Sequence, residues 1–459
     1  MSMLAGVARA GPSYPIFQQN VLRSGATLVS PGFQQKRNMA KVVKATEKQR
    51  SAGFSRKPVK RDARGEIIEE KKEKSLGAFR PLSVANLVDE TFESEKRSVL
   101  NLPAFAPTQS MIGKATEFPI LENDPARIYG LPKKMLLEFR ILSKPCSVIR
   151  SVTVKSVELL NKAKDTSSLD TRFVLTGRAG CGKSFLMLQL VEHSIMNDWI
   201  VLYIPRAKKL VDSTTPHEYD LRTRTYFQPA FSFQTLQRLQ AANHSKLSAL
   251  TTQKKHVFQK REVPLGTNLT DLIGVALKDP PLAPLILEAV MSELSTQTKS
   301  PVLFAVDDFQ ALYCRTAYRD PHFVAIRPYH LSVPRLIMDF ASGKRAFAKG
   351  AFVGAITSSD TVYKLPLELR DALGLPHERF PTPYDKRSRA LVEYTTGLKA
   401  LHVPEQLSVT EAASLFEVWK DDKALVSTMH DEVFLSKYTE SSGNARDFVW
   451  KGLLSTLET

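Results

Sequence analysis

Short apolar runs alternate with longer segments of helical spacing from Phe105 to the C-terminus. Met135, Leu136, Phe139 and Leu142 follow Gly130-Leu131-Pro132 at three- and four-residue intervals, which predicts a helix. Ser151 to Lys162 predicts a second. Arg172-Phe173-Val174-Leu175-Thr176 is apolar and too short for a helix, so it predicts a buried strand. Trp199 to Ile204, Pro301 to Val306 and Ala351 to Ile356 predict three more. A helix begins at Phe185-Leu186-Met187-Leu188. The most apolar segment, Pro281 to Met291, is interrupted by Glu288 and falls short of the roughly 18 residues that span a bilayer, so it predicts a buried helix. From Pro383 onward the pattern predicts helices at Ala390–Leu401, Thr410–Trp419, Leu425–Leu435 and Phe448–Leu457. Strands alternating with helices imply an α/β fold, a doubly wound parallel sheet flanked by helices, with a small C-terminal helical lid.

Charge changes the picture at the N-terminus. The 459-residue chain carries a net charge of +17, and its first 80 residues hold seventeen Lys and Arg against six Asp and Glu. Residues 1–46 contain no Asp or Glu and carry Arg9, Arg23, Lys36, Arg37, Lys41 and Lys44, the composition of a mitochondrial presequence. The following stretch, with its cluster at Arg56, Lys57, Lys60, Arg61 and Arg64, predicts an extended basic arm that condenses on a polyanion. The organisation expected is therefore a presequence at 1–40, a basic arm at 41–104, a nucleotide-binding core at 105–382 and a helical lid at 383–459. Three cysteines, Cys146, Cys181 and Cys314, lie far apart, which argues against a disulfide framework and against a thiolate metal site.

The chemistry concentrates at Gly177-Arg178-Ala179-Gly180-Cys181-Gly182-Lys183-Ser184, a complete G-x-x-x-x-G-K-S between a predicted strand and a predicted helix that opens on Phe185. Glycines let the backbone curl so that amide groups converge, and the helix N-terminus adds partial positive charge. Lys183 is expected to reach the β- and γ-phosphates, and the Ser184 hydroxyl to bind Mg²⁺. The strand ending in Asp307-Asp308 supplies carboxylates at the metal side. Asp307 is the metal candidate. Asp308 is the candidate that polarises water, although it is one methylene shorter than the glutamate of many related ATPases. Thr357 or Ser358, after the strand Ala351–Ile356, is a candidate γ-phosphate sensor; a helix N-cap is the alternative for the serines there. Arg446 is the candidate lid arginine offered to the phosphates, with Arg387 and Arg389 as a second pair.

Gly177 to Ser213, Tyr226-Phe227-Gln228-Pro229 and Val302 to Tyr313 resemble the death-associated protein three family of mitochondrial small-subunit ribosomal proteins. The resemblance implies an AAA-like P-loop core, a bound guanine nucleotide (GTP or GDP), a place in the head of the mitochondrial small ribosomal subunit, and contacts with rRNA and neighbouring ribosomal proteins. In AAA-like folds the base lies against the segment before the P-loop, here around Gly130-Leu131-Pro132. No Asn-Lys-x-Asp guanine motif occurs in order, since Asn161-Lys162-Ala163-Lys164-Asp165 has one residue too many and precedes the P-loop, so adenine and ATP stay open. The first expectation is a structural component of a large ribonucleoprotein in the mitochondrial matrix. An active NTPase working on a protein or RNA partner is the second, and a nucleic-acid adaptor without a nucleotide role the third.

Overall fold

The apolar strands are apolar because both faces of their sheet are covered. The computed structural model describes residues 100–119, 124–258, 261–377, 382, 384–424 and 430–457. All of these belong to one unit, residues 73–459. The presequence at 1–40 and nearly all of the arm at 41–104 lie outside the described residues.

In chain order the main elements are α1 (Lys133–Ile141), α2 (Ser151–Ala163), β1 (Arg172–Thr176), α3 (Lys183–Met196), β2 (Ile200–Ile204), α4 (Pro229–Ser248), α5 (Leu269–Lys278), α6 (Ala283–Thr296), β3 (Val302–Val306), α7 (Ser332–Ser342), β4 (Gly350–Ala355), β5 (Lys399–His402), α8 (Val409–Asp421) and α9 (Asp431–Glu440). The five strands form one sheet in the order β5-β1-β4-β3-β2, with every neighbouring pair parallel. Successive residues of a strand point to opposite faces. Val174, Val302, Phe304 and Val306 meet Leu236, Ile273, Ile286 and Ile337 of α4 to α7 on one face. Phe173, Leu175, Leu303 and Ala305 meet Val157, Leu160, Met187 and Leu190 of α2 and α3 on the other. Two-sided burial of this kind is what parallel strands need. The expected α/β parallel sheet flanked by helices is present.

The outer edge of β2 is closed by side chains. Asn243 pairs with Val201 as a strand would, accepting from its N–H at 2.8 Å and donating to its carbonyl at 2.9 Å. The Tyr129 hydroxyl donates to the same carbonyl at 2.6 Å. Backbone groups that could template another chain are thereby occupied. The segment Pro281–Met291 falls in α6 and its approach, with Glu288 on the outer face beside Arg345. Among the described residues, no helix is long and apolar enough to cross a membrane.

One expectation fails in the C-terminal part. The helix expected over Ala390–Leu401 stops at Tyr394, and Lys399–His402 is instead β5, paired in parallel with β1. Leu391, Tyr394 and Leu398 fall at helical spacing and mask the break, whereas Leu401 and Val403 are buried on either side of exposed His402, which is strand spacing. The sheet's outer strand therefore comes from beyond residue 382. Residues 425–429, half of the helix expected at Leu425–Leu435, lie outside the described residues, and α9 runs on to Glu440. Phe416, Trp419, Phe448 and Val449 pack with Leu100, Ala115, Leu142 and Cys146, so segments from both ends of the described chain build one wall beside the sheet.

Gly350 shows how tightly β4 and β3 approach. Its φ is +138°, and a Cβ there would lie 2.0 Å from the carbonyl oxygen of Val302. Gly350→Ala is expected to cost at least about 2 kcal/mol in urea unfolding, because backbone must shift to admit the methyl. A change within about 0.5 kcal/mol would contradict this packing.

Candidate nucleotide site

The ends of β1, β4 and β3 lie side by side, since Leu175 is opposite Ala355 and Val306 is opposite Gly354. The loop after β1, the Thr357-Ser358 turn after β4 and the Asp307-Asp308 pair after β3 are thus brought to one crevice at the carboxyl edge of the sheet. Crevices there are where α/β sheets bind ligands.

Within the loop, Gly177, Gly180 and Gly182 have φ of +140°, +86° and +98°. Two of them are also held by close neighbours: a Cβ on Gly177 would lie 2.8 Å from the Val403 carbonyl oxygen, and one on Gly180 would lie 2.3 Å from Asn444 Oδ1. Five consecutive carbonyls each accept from a donor. Gly177 O accepts from Lys183 Nζ and Ser358 Oγ, both at 2.8 Å. Arg178 O accepts from Lys183 Nζ at 2.8 Å. Ala179 O accepts from Asn444 Nδ2 at 2.9 Å, and Gly180 O from the Arg446 amide at 3.0 Å. Cys181 O accepts from Arg150 Nη1 at 2.8 Å. Peptide planarity then turns the next residue's N–H the other way. Among the described residues, the amides of Arg178, Ala179, Gly180 and Gly182 have no protein acceptor, and Cys181 has only a 3.4 Å contact to Arg178 O.

These amides adjoin a cavity of about 640 Å³, lined by Ala179 to Phe185 at one end. Gly177 and Arg178 contribute carbonyls rather than lining, and the Arg178 side chain is exposed. The cavity has the size of a small-ligand site. Lys183 is buried, and that burial holds its ammonium below the usual lysine range. The Ser184 hydroxyl donates to Asp307 Oδ2 at 2.7 Å. Burial first, and the neighbouring Asp308 second, keep Asp307 above the usual carboxylate range. One hydroxyl and one carboxylate this close suit Mg²⁺, which takes few protein ligands and completes its shell with water and phosphate. The donor set therefore fits the ion, and the bound ion would neutralise phosphate charge.

Asp308 is placed differently from its expected role. Its backbone is left-handed at φ +57°, and its Oδ1 accepts from Thr357 Oγ1 at 2.5 Å. Lys208 Nζ stands 3.9 Å from Asp308 Oδ2 and 3.4 Å from Asp360 Oδ2. Thr357 is turned to Asp308 and fixed by Gln310, which accepts from its N–H at 3.0 Å and donates to its carbonyl at 3.1 Å. Ser358, not Thr357, is the residue that touches the loop, with Lys183 Nζ 3.4 Å away. Arg446 lines the cavity, whereas Arg387 is held at the surface by Asp371. Gly130 and Leu131 line a neighbouring cavity of about 440 Å³. Pro132 and α1 line the main one, so the wall next to the P-loop begins two residues later than expected.

A model of the mitochondrial ribosomal death-associated protein 3 family matches residues 147–450. The chain belongs to this family. Proteins named small ribosomal subunit protein mS29 are similar to it: that of Neurospora crassa is 29% identical over 314 residues, covering 66% of each chain. That of Schizosaccharomyces pombe is 25% identical over 366 residues, covering 78% of this chain and 75% of the relative. That of Mus musculus is 26% identical over 284 residues, covering 58% and 67%.

Sequence reading of this death-associated protein 3 family member missed four residues that complete the site. Arg150 is the hub: besides Cys181 it donates to Pro404 O at 3.2 Å and Gln406 O at 2.8 Å, and its Nε lies 3.2 Å from Glu411. Its partners are distant in sequence, so only the fold shows it. Asn444 caps the last helical segment and clamps the loop. Lys208 follows β2 and balances the Asp308 carboxylate. Glu138 sits on the apolar face of α1 at the position three after Met135, and a lone acid at that spacing was the available signal.

Arg150 and Glu411 are both nearly enclosed, with 11% and 9% of their side chains exposed. Removing one partner of such a pair leaves a buried charge. Arg150→Ala is expected to cost about 3 kcal/mol in urea unfolding; a loss below about 1 kcal/mol would show that the hub carries little. Glu138 gives a pH test. Burial pushes its carboxyl from 4.5 up to about 7, against the opposing pull of the Trp450 N–H and Lys134. The folded chain keeps a proton there that the unfolded chain releases, so stability falls as pH rises from 4.5 to about 7. Glu138→Gln should therefore gain about 3 kcal/mol relative to wild type on going from pH 4.5 to pH 7.5, measured without nucleotide. A difference independent of pH would contradict the shift.

Proposed function

We propose that this protein is a structural component of the mitochondrial small ribosomal subunit that holds a guanine nucleotide and Mg²⁺ in its P-loop cavity. It acts in the matrix, within the large ribonucleoprotein, and supports mitochondrial translation through contacts with rRNA and neighbouring ribosomal proteins. The relatives' name, small ribosomal subunit protein mS29, supports the assembly. The observation that carries the nucleotide reading is the row of pinned carbonyls at residues 177–181, which leaves the loop amides for a phosphate chain.

The core is read as AAA-like and the C-terminal helices as its lid. In support, β4 lies between β1 and β3, and residues 444–446 reach over the loop. Hydrolysis is slow at most. Asp308 is one methylene shorter than the glutamate such chemistry uses, its Oδ1 is held by Thr357, and Lys208 stands 3.9 Å from its Oδ2, so the carboxylate is fixed and charge-balanced away from the role of a free base. A ligand that binds only the folded chain stabilises it by mass action, which suits a nucleotide used as a scaffold.

Sucrose-gradient fractionation of mitochondria is expected to find the full chain in the small-subunit peak. Lys183→Ala should lower that peak severalfold and leave the remainder light or degraded. Absence of wild type from the peak would reject the assembly, and undiminished incorporation of the variant would reject the scaffold role of the nucleotide.

A further inference from the structure

The cavity has two unlike ends. At the P-loop end lie the amides, Lys183, Arg446 and the Asp pair. At the other end the lining is Met135, Phe139, Leu142, Trp419, Val449 and Trp450, apolar surface suited to a planar base. The two ends are connected through Phe185, which follows Ser184 directly and whose ring meets Phe139 edge-on at 5.9 Å.

Four carboxylates line this cavity: Glu138, Asp307, Asp308 and Glu411. Asp307 and Asp308 belong to the metal side. Glu411 is taken by Arg150 and by the Ser408 amide at 3.0 Å, in the cap of α8. Glu138 remains, at the apolar end. Its Oε1 accepts from Trp450 Nε1 at 2.5 Å, and among the described residues its other oxygen has no hydrogen-bond partner. Lys134 lies over the Trp450 ring, 4.9 Å from its centroid, and adds positive charge beside the carboxylate. Glu138 precedes the residues that the family model matches, so the family comparison assigns it nothing.

We infer that Glu138 is the residue that selects the base of the bound nucleotide, accepting hydrogen bonds from N1–H and the N2 amine of guanine. This rests on the nucleotide reading above. Guanine presents those two donors side by side, and Glu138 presents two acceptors once it is ionised, so the titration is run at about pH 8, above its raised range. Adenine has an acceptor at N1 and no amine at position 2, so the same carboxylate leaves it unmatched. The Trp450 indole holds Glu138 in place and does not compete, because a carboxylate has several acceptor sites.

The test is a titration of the full chain with GTP, ITP, XTP and ATP in excess Mg²⁺, for wild type and Glu138→Gln. The glutamine keeps the acceptor for Trp450, but offers the base one acceptor and one donor, which matches N1–H and the 2-carbonyl of xanthine. Wild type should bind GTP about tenfold tighter than ITP, which lacks the N2 amine, and tighter still than ATP. The variant should lose about tenfold for GTP and gain for XTP. An unchanged GTP-to-XTP ratio in the variant overturns the inference. Equal binding of GTP and ITP by wild type also overturns it, and needs no variant to fold. If wild type binds none of the four, the nucleotide reading itself has failed, a result distinct from binding without preference.

Discussion

The site depends on the orientation of five peptide groups. The carbonyls of residues 177–181 are each fixed by a donor. A planar peptide cannot point its oxygen one way without sending the following N–H the other. The donors come from the segment before α2, the start of α3, the turn after β4 and the segment after α9. The loop's shape is therefore a property of the whole folded core, and a nucleotide bound there would stabilise every segment that supplies a donor.

Charge balance follows the same geometry. Burial holds both Asp307 and Asp308 above the usual carboxylate range, with the Asp308 charge adding to the shift of Asp307 and the Asp360 charge to that of Asp308. Ser184, Thr357 and Lys208 offset part of that cost, and a divalent cation would offset more. The crevice thus holds carboxylates whose charged form a bound cation would favour. Binding a nucleotide with its cation would supply that charge, whereas turnover would also need a carboxylate free to take a proton from an attacking water.

Much of this was legible in the sequence where local pattern is strong. β1 to β4 were read correctly to within a residue or two because parallel strands buried on two faces appear as unbroken apolar runs. The loop itself is a fixed motif between strand and helix. β5 was hidden because it is four residues long, contains Lys399 and His402, and follows a short helix whose apolar spacing runs into it. Arg150 and Asn444 were hidden because their roles depend on contacts with residues 31 and 265 positions away. Thr357 and Ser358 share one turn, and which of them faces the loop depends on a side-chain direction that only the fold decides.

Hydrogen–deuterium exchange of the full chain, with and without GTP and Mg²⁺, tests the account most directly, because it reads the loop amides themselves. Slowed exchange at residues 178–184 on adding the nucleotide is the predicted result. Exchange there that stays unchanged at saturating nucleotide would contradict the account.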